Sequence, residues 1–137
     1  MGGRRPVRLL LDTHIWLWSL LEPGRLTKRV VRALERDDTE LWLSPISVWE
    51  FLVLADRGRL RLASPPDEWV AAALQRVPFR EATVTHEVAL ETRNVHLCHR
   101  DPADRFLVAT AQVFDLKLVT ADARLIDLKA VPTLANR

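Results

Sequence analysis

Short apolar runs alternate with amphipathic segments along the whole chain. Val7–Leu11 is almost continuously apolar, as is typical of a strand buried on both faces of a sheet. The same pattern predicts further strands at residues 41–44, 117–120 and 131–134. Apolar spacing, capping residues and prolines predict helices over residues 15–21, 27–38, 45–56, 67–76, 85–94, 102–114 and 122–127. This alternation predicts an α/β domain with a mainly parallel sheet.

Length and composition limit what the chain can be. Its 137 residues are 48% apolar, so we expect one domain over residues 1–137 with a single hydrophobic core. The net charge is only +2, which argues against a protein that binds nucleic acid through bulk charge. No apolar run approaches the ~20 residues of a membrane span, so we expect a soluble, cytoplasmic protein without a membrane partner.

Cys98 is the single cysteine of the chain. One cysteine excludes an intramolecular disulfide and a cysteine-based zinc site within the chain. We expect Cys98 to be a small buried hydrophobic residue.

Acidic residues lie where strands end and helices begin. Asp12 directly follows the first strand, and Glu50 lies early in the helix after the second. Asp101 and Asp104 lie at a helix start, and Asp122 follows a later strand. Because ligands bind beyond the carboxyl ends of parallel strands, we expect these carboxylates to converge there.

Clustered carboxylates repel one another unless protons or cations neutralise them. Oxygen-rich sites favour hard cations, chiefly Mg²⁺ and Mn²⁺. Such a cation lowers the pKa of a bound water and stabilises negative charge on a phosphate. The acidic residues therefore point to metal-dependent phosphodiester hydrolysis.

Each acidic residue also has a structural alternative. Ser47 and Glu50 match a capping box, in which the glutamate bonds only a backbone N–H. Asp101 is a good N-cap, Asp104 interacts favourably with the helix dipole, and Asp122 can cap the next helix.

Two of the positions favour the metal interpretation. Glu50 lies within the apolar segment VWEFLVL, where a carboxylate is poorly solvated unless it is paired or metal-bound. Asp12 ends a buried strand, where the sequence gives no structural reason for a charge.

Four segments of the chain resemble the PIN domains, and within them the VapC-type ribonuclease toxins of bacterial toxin–antitoxin pairs. The segments are LLLDTHIWLW, SPISVWEF with the later DRGRL, HRDPADRFLVATA, and LVTADARL. They occur in the family's order over about residues 7–128. The resemblance implies an α/β/α sandwich, Mg²⁺- or Mn²⁺-dependent endoribonuclease activity on RNA, a homodimer, and inhibition by a cognate antitoxin.

The resemblance also implies which residues form the site. Asp12 matches the family's first acidic residue, Glu50 its helical glutamate, and Asp122 the acidic residue after the T-x motif. Asp101 and Asp104 compete for the third position. Asp104 is favoured, because the residues that follow it align with the family's helix. These four acidic residues are the expected catalytic and metal-binding residues, with one or two ions bound.

Five residues have expected supporting roles, and Asp101 is one of them if Asp104 takes the third position. Thr13, Ser47 and Thr120 lie where hydroxyls could orient metal-bound waters or phosphate. Arg105 follows the third acidic residue and is a candidate phosphate contact, since arginine can bond phosphate bidentately. The alternative for Arg105 is an ion pair that holds the acidic residues together.

Arginine and tryptophan carry weaker signals. The spacing of Arg25, Arg29, Arg32 and Arg36 predicts a basic stripe on one helix, suited to RNA, to an acidic antitoxin segment or to solvent. Trp42 and Trp49 are expected in the core, and Trp16 or Trp18 at a partner surface.

Two alternatives to a nuclease remain open from the sequence. A receiver-like signalling module would use an acidic pocket and Thr120 for phosphoryl transfer. It would require paired acidic residues after the first strand and a lysine after the last, and the chain has neither. A non-catalytic interaction domain with the PIN fold is the second alternative.

Overall fold

The computed structural model describes residues 6–97 and 100–137. Cys98, with its predicted burial, lies outside the described residues. The elements within these ranges are β1 (Val7–Leu11), α1 (Thr13–Leu21), α2 (Lys28–Glu35), β2 (Thr39–Leu43), α3 (Pro45–Asp56), α4 (Pro66–Arg76), β3 (Arg80–Glu81), α5 (His86–Glu91), α6 (Pro102–Phe114), β4 (Lys117–Thr120), α7 (Ala123–Ile126) and β5 (Thr133–Ala135).

The strands form one sheet in the order β3–β2–β1–β4–β5, and every pairing is parallel. Leu9 of β1 lies opposite Leu41 of β2 and Lys117 of β4. The predicted mainly parallel sheet is therefore confirmed. The receiver-like alternative is wrong, because flavodoxin-like sheets have the strand order 2-1-3-4-5.

Helices cover both faces of the sheet. Leu9, Leu11 and Val119 pack into a core shared with α1–α4. Leu10 and Leu118 point to the opposite face and pack with α5–α7. Because neighbouring strand residues point to opposite faces, apolar runs serve both cores. The three-layer α/β/α sandwich is confirmed.

The centre of the sheet contains a topological switch point. The chain leaves β1 toward β2 on one side and leaves β4 toward β5 on the other. The Asp12 backbone N–H donates to the carbonyl oxygen of Val119 at 3.0 Å and ties the two strand ends together. Such a point is where open α/β sheets form their ligand clefts.

Several element bounds differ from the predictions. The strand predicted at 41–44 is β2, which begins at Thr39, and the strand predicted at 131–134 is β5, which begins at Thr133. The helix predicted over 27–38 ends at Glu35, because Arg36 is extended and its carbonyl oxygen accepts from Thr39 N–H at 3.1 Å, closing a turn. β3 was not predicted, because its two exposed residues carry no apolar pattern; it pairs with Trp42 and Leu43 at the sheet edge.

The prediction that Trp49 lies in the core is wrong, and of the two candidates for a partner surface, Trp16 and Trp18, only Trp18 remains. Trp16 is fully buried, with its ring 5.6 Å from that of Phe51. Trp49 is 57% exposed. Residues two apart on a helix lie on opposite faces, so the buried Phe51 places Trp49 on the outer face of α3.

No helix in the described ranges combines the length and apolar character needed to cross a membrane.

Candidate active site

Asp12 is a buried carboxylate at the end of β1. It is the N-cap residue of α1, yet its side chain makes no capping hydrogen bond. Instead its Oδ2 accepts from the Thr120 hydroxyl at 2.7 Å. Burial raises the pKa of Asp12, and the bond from Thr120 opposes that rise only in part. Because this charge is held at a free-energy cost with no capping role, Asp12 is a strong candidate for a functional residue.

Glu50 faces the cleft from α3. The N-cap of this helix is Ser44, whose hydroxyl accepts from the Ile46 N–H at 3.0 Å. The predicted capping box between Ser47 and Glu50 is therefore wrong, since Ser47 lies inside the helix. The Thr13 hydroxyl donates to Glu50 Oε1 and joins the ends of α1 and α3.

The surroundings of Glu50 disfavour its charge. Burial raises its pKa from the ordinary 4.5 to about 7, against the hydrogen bond from Thr13. The like charges of Asp12, Asp101 and Asp104 contribute to this rise, though less than burial does. A neighbouring cation would therefore stabilise the ionised form of Glu50.

The two acidic residues at the start of α6 differ in role. Asp101 is the N-cap, and its Oδ1 accepts from the N–H groups of Ala103 at 3.0 Å and Asp104 at 3.4 Å. The structural alternative for Asp101 is thus observed. Asp104 lies one turn further in and is only 7% exposed. Because Asp101 already caps α6, Asp104 is the better candidate for the third functional acidic residue.

Asp122 both caps α7 and binds an arginine. Its Oδ1 accepts from the backbone N–H of Arg124 at 2.9 Å. The Arg124 guanidinium adds a bidentate contact, with Nε 3.1 Å from Oδ1 and Nη2 2.8 Å from Oδ2. Arg124 was not predicted as a site residue, although its place two residues after Asp122 at a helix start was a usable signal.

These side chains line one cleft of about 270 Å³ at the carboxyl edge of the sheet. The lining residues are Asp12, His14, Trp18, Glu50, Asp101, Asp104, Ala121, Asp122 and Arg124. All five predicted acidic residues therefore converge, as expected for the ends of parallel strands.

The three predicted hydroxyl residues are buried behind the cleft. Thr13 and Thr120 donate to Glu50 and Asp12 respectively, and Ser47 Oγ lies 3.0 Å from Thr13 Oγ1. A hydroxyl has one proton to donate. With Glu50 ionised, Thr13 therefore donates to it and accepts from Ser47. In the structure these hydroxyls orient the carboxylates.

Arg105, the predicted phosphate contact, bonds backbone carbonyl oxygens instead. Arg105 Nη1 donates to the carbonyl oxygens of Thr92 at 3.2 Å and Val95 at 2.7 Å, so it fixes the turn after α5. Arg105 is not among the described residues that line the cleft. Its phosphate contact remains a prediction.

The predicted basic stripe does not form as one surface. Arg25 lies outside α2, and its guanidinium stacks 4.2 Å from the Trp18 ring centroid. Arg29 donates to the carbonyl oxygen of Ala135 at 3.2 Å, and Arg36 forms an ion pair with Asp38. The spacing along the sequence suggested a stripe, but Arg25, Arg29 and Arg36 each contact a different neighbour in the folded chain.

The donor set suits a hard divalent cation. The carboxylate oxygens belong to residues at the ends of β1 and β4 and on α3 and α6, and oxygen ligands suit Mg²⁺ or Mn²⁺. The raised pKa values of Asp12 and Glu50 reflect desolvated negative charge. Across residues 6–97 and 100–137, no three acidic or histidine groups already stand at metal-binding spacing. Hydroxyls orient Asp12 and Glu50, and Arg124 pairs with Asp122.

Comparison with known proteins identifies the family. The PIN domain profile matches residues 9–131. The chain belongs to the PIN-domain family. This PIN chain is 36% identical over 118 residues to Ribonuclease VapC22 of Mycobacterium tuberculosis (strain ATCC 25618 / H37Rv), covering 85% of this chain and 88% of that protein. The resemblance to VapC-type proteins is confirmed.

Solved structures share the PIN fold of this chain. The crystal structure of VapBC2 from Rickettsia felis, bound to a DNA fragment from their promoter, matches with a TM-score of 0.68 at 11% identity, covering 94% of this chain and 98% of that chain. FitAcB from Neisseria gonorrhoeae matches with a TM-score of 0.64 at 22% identity, covering 93% and 97%. At these identities the likeness concerns the fold.

Proposed function

We propose that this PIN domain is a divalent-metal-dependent endoribonuclease that acts as the toxin of a toxin–antitoxin pair. The observation that carries the proposal is the convergence of Asp12, Glu50, Asp104 and Asp122 on one cleft at the switch point of the sheet. The relative VapC22 is named a ribonuclease, and the solved neighbours include toxin–antitoxin complexes.

The chain's own residues prepare this cleft. Thr120 holds Asp12 Oδ2, and Thr13 holds Glu50 Oε1, so two desolvated carboxylates keep fixed orientations. Asp101 takes over the capping of α6, which leaves Asp104 for the cleft. Hydroxyl donors that bond the charged form of a carboxylate favour its ionisation, which metal binding requires.

Asp12, Glu50, Asp104 and Asp122 would hold one or two Mg²⁺ or Mn²⁺ ions. When bound, such a cation lowers the pKa of water and offsets charge that develops on a phosphate. The predicted products are a 5′-phosphate and a 3′-hydroxyl.

The same proposal includes the partners and the setting. We propose that residues 1–137 form one PIN-like domain that assembles as a homodimer in the cytoplasm. A cognate antitoxin would inhibit it by occupying the acidic cleft. Light scattering of the purified chain, alone and with the candidate antitoxin, measures both assemblies.

The test is cleavage of end-labelled single-stranded RNA with Mn²⁺ or Mg²⁺. Asp12→Asn and Asp104→Asn should each lower the cleavage rate at least about a hundredfold, since even residues that only orient metal ligands contribute 10–100-fold. Asp67→Asn is the matched control, because Asp67 is exposed on α4 and should cleave like the wild type.

Three outcomes would contradict the proposal. Equal activity of all four proteins would show that the acidic cleft is not the site. Cleavage that persists in EDTA would contradict metal dependence. A folded wild type that cleaves no RNA with either cation would favour the non-catalytic interaction domain.

A further inference from the structure

Arg124 is a cleft arginine held in a fixed position. Its guanidinium binds both oxygens of Asp122 through Nε and Nη2, while Asp122 also caps the helix that carries Arg124. The side chain remains 50% exposed. Asp122 therefore fixes the guanidinium plane without burying it.

Most of the donors of Arg124 remain available. A guanidinium has five N–H donors in one plane. The contacts with Asp122 use the Nε–H and one hydrogen of Nη2, which leaves three for other acceptors. Of the described residues that line the cleft, Arg124 is the one arginine, and none is a lysine.

The charge of the cleft creates a need for such a group. A phosphodiester is an anion, and five carboxylates line the space that it would have to approach. Negative charge repels it unless donors at the rim compensate. Arginine binds phosphate through two parallel N–H···O bonds, which gives both attraction and orientation. Arg105 is already engaged with backbone carbonyl oxygens and does not line the cleft.

We propose that Arg124 is a substrate-binding residue, whose remaining N–H donors bind a phosphate of single-stranded RNA at the acidic cleft. Asp122 has a second role in this proposal, as the residue that positions the guanidinium. The inference rests on the proposed ribonuclease function and deepens it.

The chain provides a matched control for this arginine. Arg36 pairs with Asp38 in the same bidentate manner, with Nε 3.0 Å from Oδ1 and Nη2 2.8 Å from Oδ2. Its side chain is similarly exposed, at 51%. Neither residue of this pair is among the residues that line the cleft. Loss of Arg36 thus removes the same kind of ion pair and the same charge from the protein.

The experiment measures RNA binding rather than cleavage. All variants carry Glu50→Gln to prevent turnover, and the probe is a fluorescein-labelled 15-nucleotide RNA of mixed sequence. Fluorescence anisotropy with Mn²⁺ over a range of salt concentrations gives Kd and its salt dependence. Circular dichroism checks that each variant is folded.

We expect Arg124→Gln to weaken binding about 10- to 100-fold, the range for a lost charge-assisted hydrogen bond. The slope of log K against log salt should become shallower by about 0.7, the contribution of one phosphate of a single strand. Arg124→Lys should recover only part of the affinity, because lysine offers a point charge. Arg36→Gln should stay within about twofold of the parent and keep its slope.

Three results would overturn the inference. If Arg124→Gln binds RNA with the parent's affinity and slope, Arg124 is only a counter-ion of Asp122, and the ribonuclease proposal still stands. If Arg124→Gln fails to fold, a folded Arg124→Ala variant with the parent's affinity and slope overturns it equally. If the folded parent binds no RNA at all, the proposed function and the inference fail together.

Discussion

Replacing Glu50 by glutamine should stabilise the metal-free protein. Glu50 is a desolvated carboxylate among three other acidic groups, and its pKa is raised to about 7. Glutamine has the same shape, keeps an oxygen that accepts from the Thr13 hydroxyl, and carries no charge. The substitution should therefore remove an unfavourable charge while abolishing cleavage.

The sign and size of this stability change follow from the difference in the pKa of Glu50 between the folded and unfolded protein. The carboxyl has an ordinary pKa of 4.5 in the unfolded chain and about 7 in the folded one, so the folded state disfavours its ionised form. The destabilisation is fully present above pH 7 and disappears below pH 4.5. At about 1.4 kcal/mol per pH unit the full difference is about 3 kcal/mol. Because Glu50 is only partly buried, solvent screening lowers this to about 1–2 kcal/mol.

Urea unfolding in EDTA measures the effect. At pH 8 Glu50→Gln should have a free energy of unfolding about 1–2 kcal/mol above that of the wild type, and at pH 5 about half of that gain should remain. Glu68→Gln, at an exposed position on α4, is the control and should change the free energy by less than about 0.5 kcal/mol. Added Mn²⁺ should stabilise the wild type more than Glu50→Gln.

The reasoning is refuted if Glu50→Gln is no more stable than the wild type at pH 8. A gain that is the same at pH 5 and pH 8 would also refute it, since ionisation would then not be the cause.

Three further predictions concern the residues around the cleft. Thr120→Val removes the hydrogen-bond donor to buried Asp12, so it should lower the free energy of unfolding by about 1–2 kcal/mol and slow RNA cleavage. Thr120→Ser keeps the donor and should preserve stability and cleavage. Unfolding and cleavage assays that show no change for Thr120→Val would contradict this prediction. Asp101→Ala removes the N-cap and should lower the free energy of unfolding by about 1 kcal/mol, whereas Asp101→Ser should restore both the cap and RNA cleavage. If Asp101→Ser cleaves as poorly as Asp104→Asn, Asp101 is a functional acid too. Arg105→Ala should lower the free energy of unfolding by about 1–3 kcal/mol without changing RNA affinity; weakened RNA binding at unchanged stability would restore its predicted phosphate contact.

The order of the elements was readable from the sequence because it depends on local pattern. The strands predicted at Val7–Leu11 and Lys117–Thr120, each with a central apolar segment, match the observed strands residue for residue. Pro45 and Pro102 mark the observed helix starts. A two-residue strand such as β3 has too few positions to form a pattern, so only its partner β2 defines it.

Part of the candidate site could also be predicted from the sequence. Parallel strands bring their carboxyl ends to one edge, so residues such as Asp12 and Asp122 were expected to meet there. Their assignment as metal-binding residues remains a prediction. The sequence did not distinguish Asp101 from Asp104 by position alone, because the two lie within one helical turn and only the cap geometry separates them.

The sequence by itself determined the α/β alternation, the positions of the acidic residues at element ends, and the family resemblance. Tertiary structure decided which groups pair: Thr120 with Asp12 across 108 positions, and Thr13 with Glu50 across 37. It also decided that Arg124 faces the cleft. The physical reason is that periodicity fixes the face on which a residue lies within its own element. The neighbours across elements are fixed only when the sheet and helices pack, and these neighbours set the burial, hydrogen bonds and pKa values of the cleft.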